Sequence, residues 1–157
     1  MKDFDINIKN ASEVTLFGTK DHTMVVPEQV KFDSDRNRAD IDIKDLASVK
    51  IGIPEQAEKV ELNIADSKIF VSGLTFERLE IDAKGSIAID IDGTSGPVDI
   101  NMVEGSAELI VHKGFKFCTR IKGSNNAIEC DLAEDHNSEN VIEINGKNSI
   151  LKITCAE

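Results

Sequence analysis

The sequence predicts an all-β fold, and more specifically a single-stranded parallel β-solenoid (β-helix-like) with coils of about 19 residues. Two observations predict it: apolar and polar residues alternate along nearly every segment, and the alternating segments recur at a fixed interval. Alternation at a period of two residues indicates strands that bury one face. No segment sustains a helical period, and the one helical turn that we expect spans Glu55–Lys59.

The interval between equivalent strand positions is 19 residues through the middle of the chain. Two columns of inward residues show it: the first contains Ile41, Val60, Leu79, Val98 and Phe117, and the second contains Ile43, Leu62, Ile81 and Ile100. Turns recur with the strands, as at Gly85-Ser86 and Gly105-Ser106, where a corner needs a residue that tolerates a positive φ angle. A period held over several repeats is typical of coils that stack about 4.8 Å apart.

We predict one domain over residues 1–157, with less regular coils over 1–40 and regular repeats over 41–157. A chain of this length can bury a sizeable core. The last two turns of the chain are separated by 23 residues instead of 19, which places a loop insertion near residues 134–140. The charged run Asp33–Asp40 predicts a second loop, in the less regular part of the chain.

The chain contains 29 acidic and 18 basic residues, so its formal net charge is −11. This charge argues against nucleic acid or an anionic membrane as the main partner, because both attract a basic surface. Trp and Tyr, which commonly anchor binding hot spots, are absent from the sequence. No apolar run approaches the ~20 residues of a membrane span, and the first residues do not resemble a signal peptide. We therefore expect no membrane insertion and a cytoplasmic location, or a place in the cell envelope if the chain is part of a larger protein.

The repeated order of strand, Gly-Ser turn and strand carries a resemblance to a known family. It is clearest from Leu79 to Ile89, where Gly85-Ser86 separates two alternating segments, and it extends over Ala39–Glu157. This pattern resembles the bacterial putative-adhesin β-strand-repeat domains, which include head domains of auto-transporter adhesins. The resemblance implies a β-solenoid of uncharacterised role, often attached to the bacterial envelope. It supplies no catalytic residues that could be carried over to this chain.

Four acidic residues follow the same period and form a candidate metal site: Asp42, Glu61, Glu80 and Asp99. Because each lies between two inward positions, we expect all four on one outward strip, about 4.8 Å apart. Paired carboxylates are the ligands that calcium prefers, so Ca²⁺ is the one cofactor that the sequence suggests. The alternative is a solvated face that is neutralised by the adjacent column. That column contains Asp40, Lys59, Arg78 and Lys116.

The three cysteines predict neither a disulfide framework nor a zinc site, because they are odd in number and lack Cys-x-x-Cys spacing. Cys118 is expected to face outward beside Lys116 and Arg120, and basic neighbours would lower the pKa of its thiol. A reactive thiol at Cys118 is therefore a hypothesis. Cys130 and Cys155 fall on inward positions and are expected to be reduced core thiols.

No catalytic residue is predicted. The histidines are scattered at His22, His112 and His136, and no motif frames a nucleophile beside one of them. We favour a non-catalytic structural or interaction module that binds a protein or glycan partner. One alternative is a polysaccharide-active enzyme that uses surface carboxylates. Another is self-assembly into a homo-oligomer through the solenoid ends, because such ends expose unpaired strand edges.

Overall fold

In a computed structural model, which describes residues 3–156, the chain forms fifteen strands in two sheets. The all-β class is therefore confirmed. Met1, Lys2 and Glu157, which the predicted domain includes, lie outside the described residues. No helix within residues 3–156 is long and apolar enough to cross a membrane. The strands are β1 (Asp3–Lys9), β2 (Glu13–Thr19), β3 (Lys31–Ser34), β4 (Arg38–Lys44), β5 (Ser48–Pro54), β6 (Gln56–Ala65), β7 (Lys68–Ser72), β8 (Thr75–Lys84), β9 (Ser86–Asp92), β10 (Val98–Val103), β11 (Ser106–Val111), β12 (Cys118–Ile121), β13 (Ala127–Cys130), β14 (Val141–Lys147) and β15 (Ile150–Cys155).

The order of the strands overturns the prediction of a single-stranded parallel β-solenoid. Sheet A has the order β12-β14-β10-β8-β6-β1-β4-β3, and sheet B has the order β13-β15-β11-β9-β7-β2-β5. The first pair of strands, β1 and β2, lies inside the pair β4 and β5, and the last pair, β14 and β15, lies inside β12 and β13. Sheet A is also mixed, because β3 runs antiparallel to β4. The first and last of the described strands, β1 and β15, are thus each paired with a strand on both sides, and other segments form the sheet edges.

The 19-residue interval describes neighbouring strands only in the middle of the molecule. Val60 lies opposite Leu79, and Leu79 lies opposite Val98, as the period predicts. Ile41, however, lies opposite Ile6, because β1 separates β4 from β6. The first step of the predicted column is therefore wrong, because β1 is inserted there. The last step, from Val98 to Phe117, is wrong for the same kind of reason, because β14 is inserted and Val98 lies opposite Ile142.

Two local predictions are also wrong. Residues 55–59 do not form a helical turn, because β6 begins at Gln56. The run Asp33–Asp40 is not a bulged loop but the turn of an antiparallel hairpin between β3 and β4. The Asp35 carboxylate accepts hydrogen bonds from the backbone N–H groups of Asn37 (2.8 Å) and Arg38 (3.0 Å), which closes this turn. These two bonds also hold the pKa of Asp35 below its usual value.

One cluster of apolar side chains fills the space between the two sheets. A column of isoleucine and leucine crosses sheet A on its inner face, from Ile41 on β4, the strand next to one edge, to Ile121 on β12 at the other edge. Its inner members, Leu62, Ile81 and Ile100, are no more than 1% exposed. The alternation read from the sequence therefore assigns the inner and outer faces of these strands correctly.

The corners between the sheets use residues with positive φ angles, as the turn pattern predicts. Gly85 is one of them, with φ of 75°, and a Cβ atom there would lie 2.0 Å from the Asp66 carboxylate. At the next corner the left-handed residue is Glu104 rather than Gly105. The polar corner residues also bond to one another, as Asn10 does when it donates to Asp45 over 2.9 Å.

The two ends of the sheets are closed differently. At one, which we call the capped end, Val25 bridges to Gly52 of β5, and β3 pairs with β4. At the other, which we call the open end, β12 and β13 are the edge strands. Residues 131–140 return beside β12, where Asp135 donates its backbone N–H to the Phe117 carbonyl over 2.8 Å.

Candidate functional site

The outer face of sheet A carries a row of acidic residues, which we call the charged ladder. It contains Asp40, Asp5, Glu61, Glu80, Asp99 and Glu143, one from each of six neighbouring strands. Three of the four predicted metal-ligating residues, Glu61, Glu80 and Asp99, are consecutive members. Asp42 lies in a different row, opposite Asn7, because the inserted strand β1 shifts the register of β4.

Each acid of the charged ladder lies beside a cation. Arg38 Nη2 is 2.7 Å from Asp5 Oδ2, Lys59 Nζ is 2.7 Å from Glu61 Oε1, and Arg78 Nε is 2.8 Å from Asp99 Oδ2. Within residues 3–156 no group of three or more carboxylate, imidazole or thiol side chains is placed to share a metal ion. Binding of Ca²⁺ by Asp42, Glu61, Glu80 and Asp99 stays a prediction.

The electrostatics of the charged ladder are set by burial and by these ion pairs. Burial raises the pKa of Asp5, the neighbouring Glu61 carboxylate raises it further, and Arg38 partly opposes both effects. The carboxylate of Glu61 raises the pKa of Lys59. A hollow of only about 50 Å³ lies among these side chains. The charged ladder is therefore a compact, internally paired surface and not a groove.

Two residues further along the same strands, a second row consists of short amide and carboxylate side chains. It contains Asp42, Asn7, Asn63, Asp82, Asn101 and Asn145. The amide of Asn63 donates to Asn7 Oδ1 over 2.9 Å, and that of Asn101 donates to Asp82 Oδ1 over 3.1 Å. The amide of Asn63 also donates to Asp5 Oδ1 over a longer distance of 3.5 Å. The bond from Asn101 uses one N–H of an amide that has two, so this amide keeps a donor for a ligand, and the amide oxygens of the row can accept further hydrogen bonds.

Four members of this second row form one wall of a groove of about 780 Å³, which we call the amide groove: Asn7, Asn63, Asp82 and Asn101. The opposite wall contains Lys9, Ala65, Lys84 and Val103, and the floor is the backbone of the inward residues between the walls. Val103 is 59% exposed. Gly146 keeps the floor flat at one end, because a Cβ atom there would lie 1.9 Å from the Met102 carbonyl oxygen.

The amide groove continues into a second hollow of about 500 Å³ at the capped end, and both are lined by Asn7 and Lys9. The second hollow adds Lys31 and Lys44. None of these lysines, nor Lys84, forms an ion pair with another described residue. The amide groove therefore holds cations that no residue within 3–156 neutralises through an ion pair.

The three cysteines differ in their exposure to solvent, and one of them does not lie where the sequence predicts. Cys118 is half-buried, and its thiol donates to the Ser138 carbonyl over 3.7 Å. Cys130 is also half-buried, at the inner side of the edge strand β13. The prediction of a core thiol is wrong for Cys155, which is exposed because β13 ends before it could cover that position.

Sequence reasoning missed two constellations. His112 Nε2 lies 3.0 Å from Asp90 Oδ1 on the outer side of sheet B, although the histidines are scattered in sequence. The amide groove was the larger omission, yet Asn63, Asp82 and Asn101 recur at the 19-residue interval. That spacing could have predicted the row, but nothing in the sequence indicates the groove beside it.

Comparison with known proteins gives a likeness of fold. No family model matches the chain, and no curated protein matches it. The chain is similar to the crystal structure of a putative cell adhesion protein from Clostridium sporogenes, with a TM-score of 0.64 and 14% sequence identity. The similarity covers 99% of this chain and 92% of that one. At this identity the likeness shows that the two proteins share a fold over nearly the whole of this chain.

Proposed function

We propose that this protein is a non-catalytic, adhesin-like binding module that takes a glycan into the amide groove. The observation that carries the proposal is the groove itself, where amide groups with unused donors and acceptors face a wall with apolar residues. The likeness of fold to a putative cell adhesion protein is consistent with a binding role.

The chemistry of the groove favours a glycan over a protein. A sugar ring presents hydroxyl groups at its edge and C–H groups on its face. The row from Asn7 to Asn101 offers partners for hydroxyls, and Ala65 and Val103 offer contact for C–H groups. Protein interfaces are instead commonly anchored by aromatic residues in pockets, and none of the residues lining the groove is aromatic. The groove crosses five strands, roughly 19 Å, which suits an extended polymer.

The unpaired lysines indicate the charge of the ligand. Together the two hollows contain four lysines and two aspartates, Asp42 and Asp82, a local charge of +2 in a protein of net charge −11. A carboxylate accepts strong, charge-assisted hydrogen bonds from an ammonium group. We therefore expect a glycan that carries carboxylates, such as one containing uronic acids.

A binding role is favoured over glycoside hydrolysis by the positions of the carboxylates. Glycosidases use two carboxyl groups that flank the scissile bond. Here Glu61, Glu80 and Asp99 are engaged by Lys59 and Arg78 outside the groove. Asp82, which does line the groove, accepts a hydrogen bond from Asn101.

Titration calorimetry with purified oligogalacturonate, and with neutral dextran of similar length, tests the proposal. Oligogalacturonate should bind more tightly, and Lys84→Gln or Lys9→Gln should weaken its binding about tenfold, or about 1.4 kcal/mol. Lys152→Gln is the matched control, because Lys152 is an exposed lysine on the outer face of sheet B. Equal affinity for both sugars would contradict the expectation that the ligand carries carboxylates. Failure of both sugars to bind, or equal weakening by Lys152→Gln, would contradict the groove as a glycan site.

A further inference from the structure

The two ends of the sheets cover the hydrophobic core to different degrees. At the capped end, Ile41 of β4 is 0% exposed because β3 pairs beside it, and the residue of this column on the edge strand is Phe32, which is 40% exposed. The same column ends at Ile121, which is 53% exposed. Ile128 and Cys130, at the corresponding edge of sheet B, are only partly buried against the core. The last apolar layer at the open end is thus incompletely covered.

The open end also presents a free strand edge. The N–H of Ala127 bonds to the carbonyl of Ser149, the residue before β15, so the peptide groups of Ile128 and Cys130 point the other way, to the outside. The edge of β12 is partly closed, because Thr119 donates its backbone N–H to Glu134 Oε1 over 2.6 Å. The edge that is left for pairing is therefore that of β13.

We propose that a second copy of this chain covers the open end and forms a closed, two-fold dimer. This inference is independent of the amide groove. A second copy supplies both things that the open end lacks, namely an apolar layer against Ile121 and Ile128 and an unpaired edge that can run antiparallel to β13. A two-fold axis uses the same surface on both copies, so the assembly is complete at two. At the capped end, Val25 is bridged to Gly52 on the outer edge of β5, and the edge strand β3 runs antiparallel to β4, so this end differs from the open end and disfavours head-to-tail growth into a filament.

The size of the end is compatible with a stable contact. Strands of four to seven residues span about 13–23 Å, and two sheets lie about 10 Å apart. When the outward side chains are included, the surface of one copy at such an end is about 500 Å². Two copies would bury about 1,000 Å² in total, which is the size at which specific interfaces begin.

Sedimentation velocity at a series of protein concentrations tests the dimer on the whole chain. The expected species has twice the monomer mass of 17.2 kDa. Ile121→Lys and, separately, Ile128→Lys should shift it to the monomer and leave the melting temperature within a few degrees. Phe32→Lys is the matched control, because Phe32 is a 40% exposed apolar residue at the capped end. It should leave the dimer intact.

Crosslinking gives a second measurement that does not depend on destabilising variants. With Cys118 and Cys155 replaced by Ser, a short bismaleimide should join two chains through Cys130, which lies on the β13 edge. A monomer at every concentration, a species that grows beyond two chains, or a dimer lost in Phe32→Lys but not in Ile121→Lys would each overturn the proposal. So would binding of a different protein at the open end while the isolated chain stays monomeric.

Discussion

The charged ladder and the amide groove lie side by side on the outer face of sheet A, yet their polar groups are used in different ways. In the charged ladder, Glu61 and Asp99 each have a cation within 3 Å. In the amide groove, Lys9 and Lys84 have no ion pair with any residue that the structure describes. The first surface satisfies its own charges, and the second retains groups that a ligand can engage.

Side-chain length and row composition explain the difference. Arg78 is long enough to reach both Glu80 and Asp99 in the neighbouring row. Asn and Asp are short, so Asn63 reaches mainly along its own row, to Asn7 on the next strand. The row of Lys84 has Ala65 as a neighbour and offers it no acidic partner. The same repeated backbone can therefore carry a structural surface or a binding surface, depending on the length and charge of the side chains in each row.

The largest expected effect comes from breaking the inner face on which both surfaces rest. Ile81→Asp places a carboxylate in the core at a side chain that is 0% exposed, which should cost several kcal/mol of unfolding free energy and unfold the chain at room temperature. Far-UV circular dichroism and a urea titration measure this. The adjacent outward substitution Asp82→Ala should keep the fold. Equal losses from both would mean that the inner and outer faces are wrongly assigned.

Charge inversion in the charged ladder should affect stability but not binding. Glu80 lies between Lys59 and Arg78, so Glu80→Lys replaces two attractive contacts with repulsive ones. We expect a loss of about 1–2 kcal/mol, from pair energies of about 0.2–1 kcal/mol each. Urea denaturation should show a smaller loss for Glu80→Gln. An unchanged midpoint for Glu80→Lys, or weaker glycan binding at equal stability, would contradict the division between the two surfaces.

Substitution in the amide groove should have the reverse effect. Asn63→Leu keeps the number and branching of the side-chain heavy atoms but removes the amide that donates to Asn7. Binding of oligogalacturonate should weaken about tenfold, and the free energy of unfolding should change by less than about 1 kcal/mol. Thr15→Val, on the outer face of sheet B, is the matched control for both measurements. Tight binding by Asn63→Leu would show that the amide row does not contact the ligand.

The smallest expected effect is a pH dependence at Asp5. Because burial raises its pKa in the folded state, the folded protein holds this proton more tightly than the unfolded chain does. The stability that this provides is fully present below the usual pKa of 3.8 and is lost as the pH rises through the folded-state value. Asp5→Asn should therefore stabilise the protein at pH 7, by less than about 1 kcal/mol, and the gain should disappear below the usual pKa.

Asp99→Asn is expected to change stability at pH 7 in the opposite direction to Asp5→Asn. It removes the 2.8 Å ion pair with Arg78 and should lower stability at pH 7 by up to about 1 kcal/mol. Thermal melts at several pH values compare the two variants. If Asp5→Asn destabilised the protein at pH 7 as much as Asp99→Asn does, the ion pair with Arg38 would outweigh the burial of Asp5.

The all-β class and the inward columns could be predicted because alternation reports directly on which face is buried. The order of the strands could not be predicted from the sequence. Equal spacing between successive strands shows only that the connections have equal length, and the position of β1 between β4 and β6 depends on pairing between residues that are far apart in the sequence. The wrong prediction of a helical turn over Glu55–Lys59 has a local cause. Ala57 and Val60 are both buried although they are three residues apart, which interrupts the alternation of the strand. Phe76 and Leu79 repeat that break on the neighbouring strand β8, so paired strands absorb it together.

The candidate site divides in the same way. The acidic residues Glu61, Glu80 and Asp99 were found because they recur at a fixed interval, and the cations beside them were partly found as well. Asp42 was assigned to their row because an inserted strand leaves no local sign in the sequence. The row of the amide groove could be predicted from the sequence, but the cavity could not, since its volume depends on the three-dimensional placement of two walls and a floor from five strands.

The most direct test of the proposed binding site is a titration of the isotopically labelled protein with oligogalacturonate, followed by NMR of the asparagine side-chain amides. The side-chain resonances of Asn7, Asn63 and Asn101 should shift, because these amides line the groove. Those of Asn125, which donates to Asn148 at an exposed corner, should stay in place. Shifts at Asn125 equal to those in the groove, or no shifts at saturating sugar, would contradict glycan binding in the amide groove.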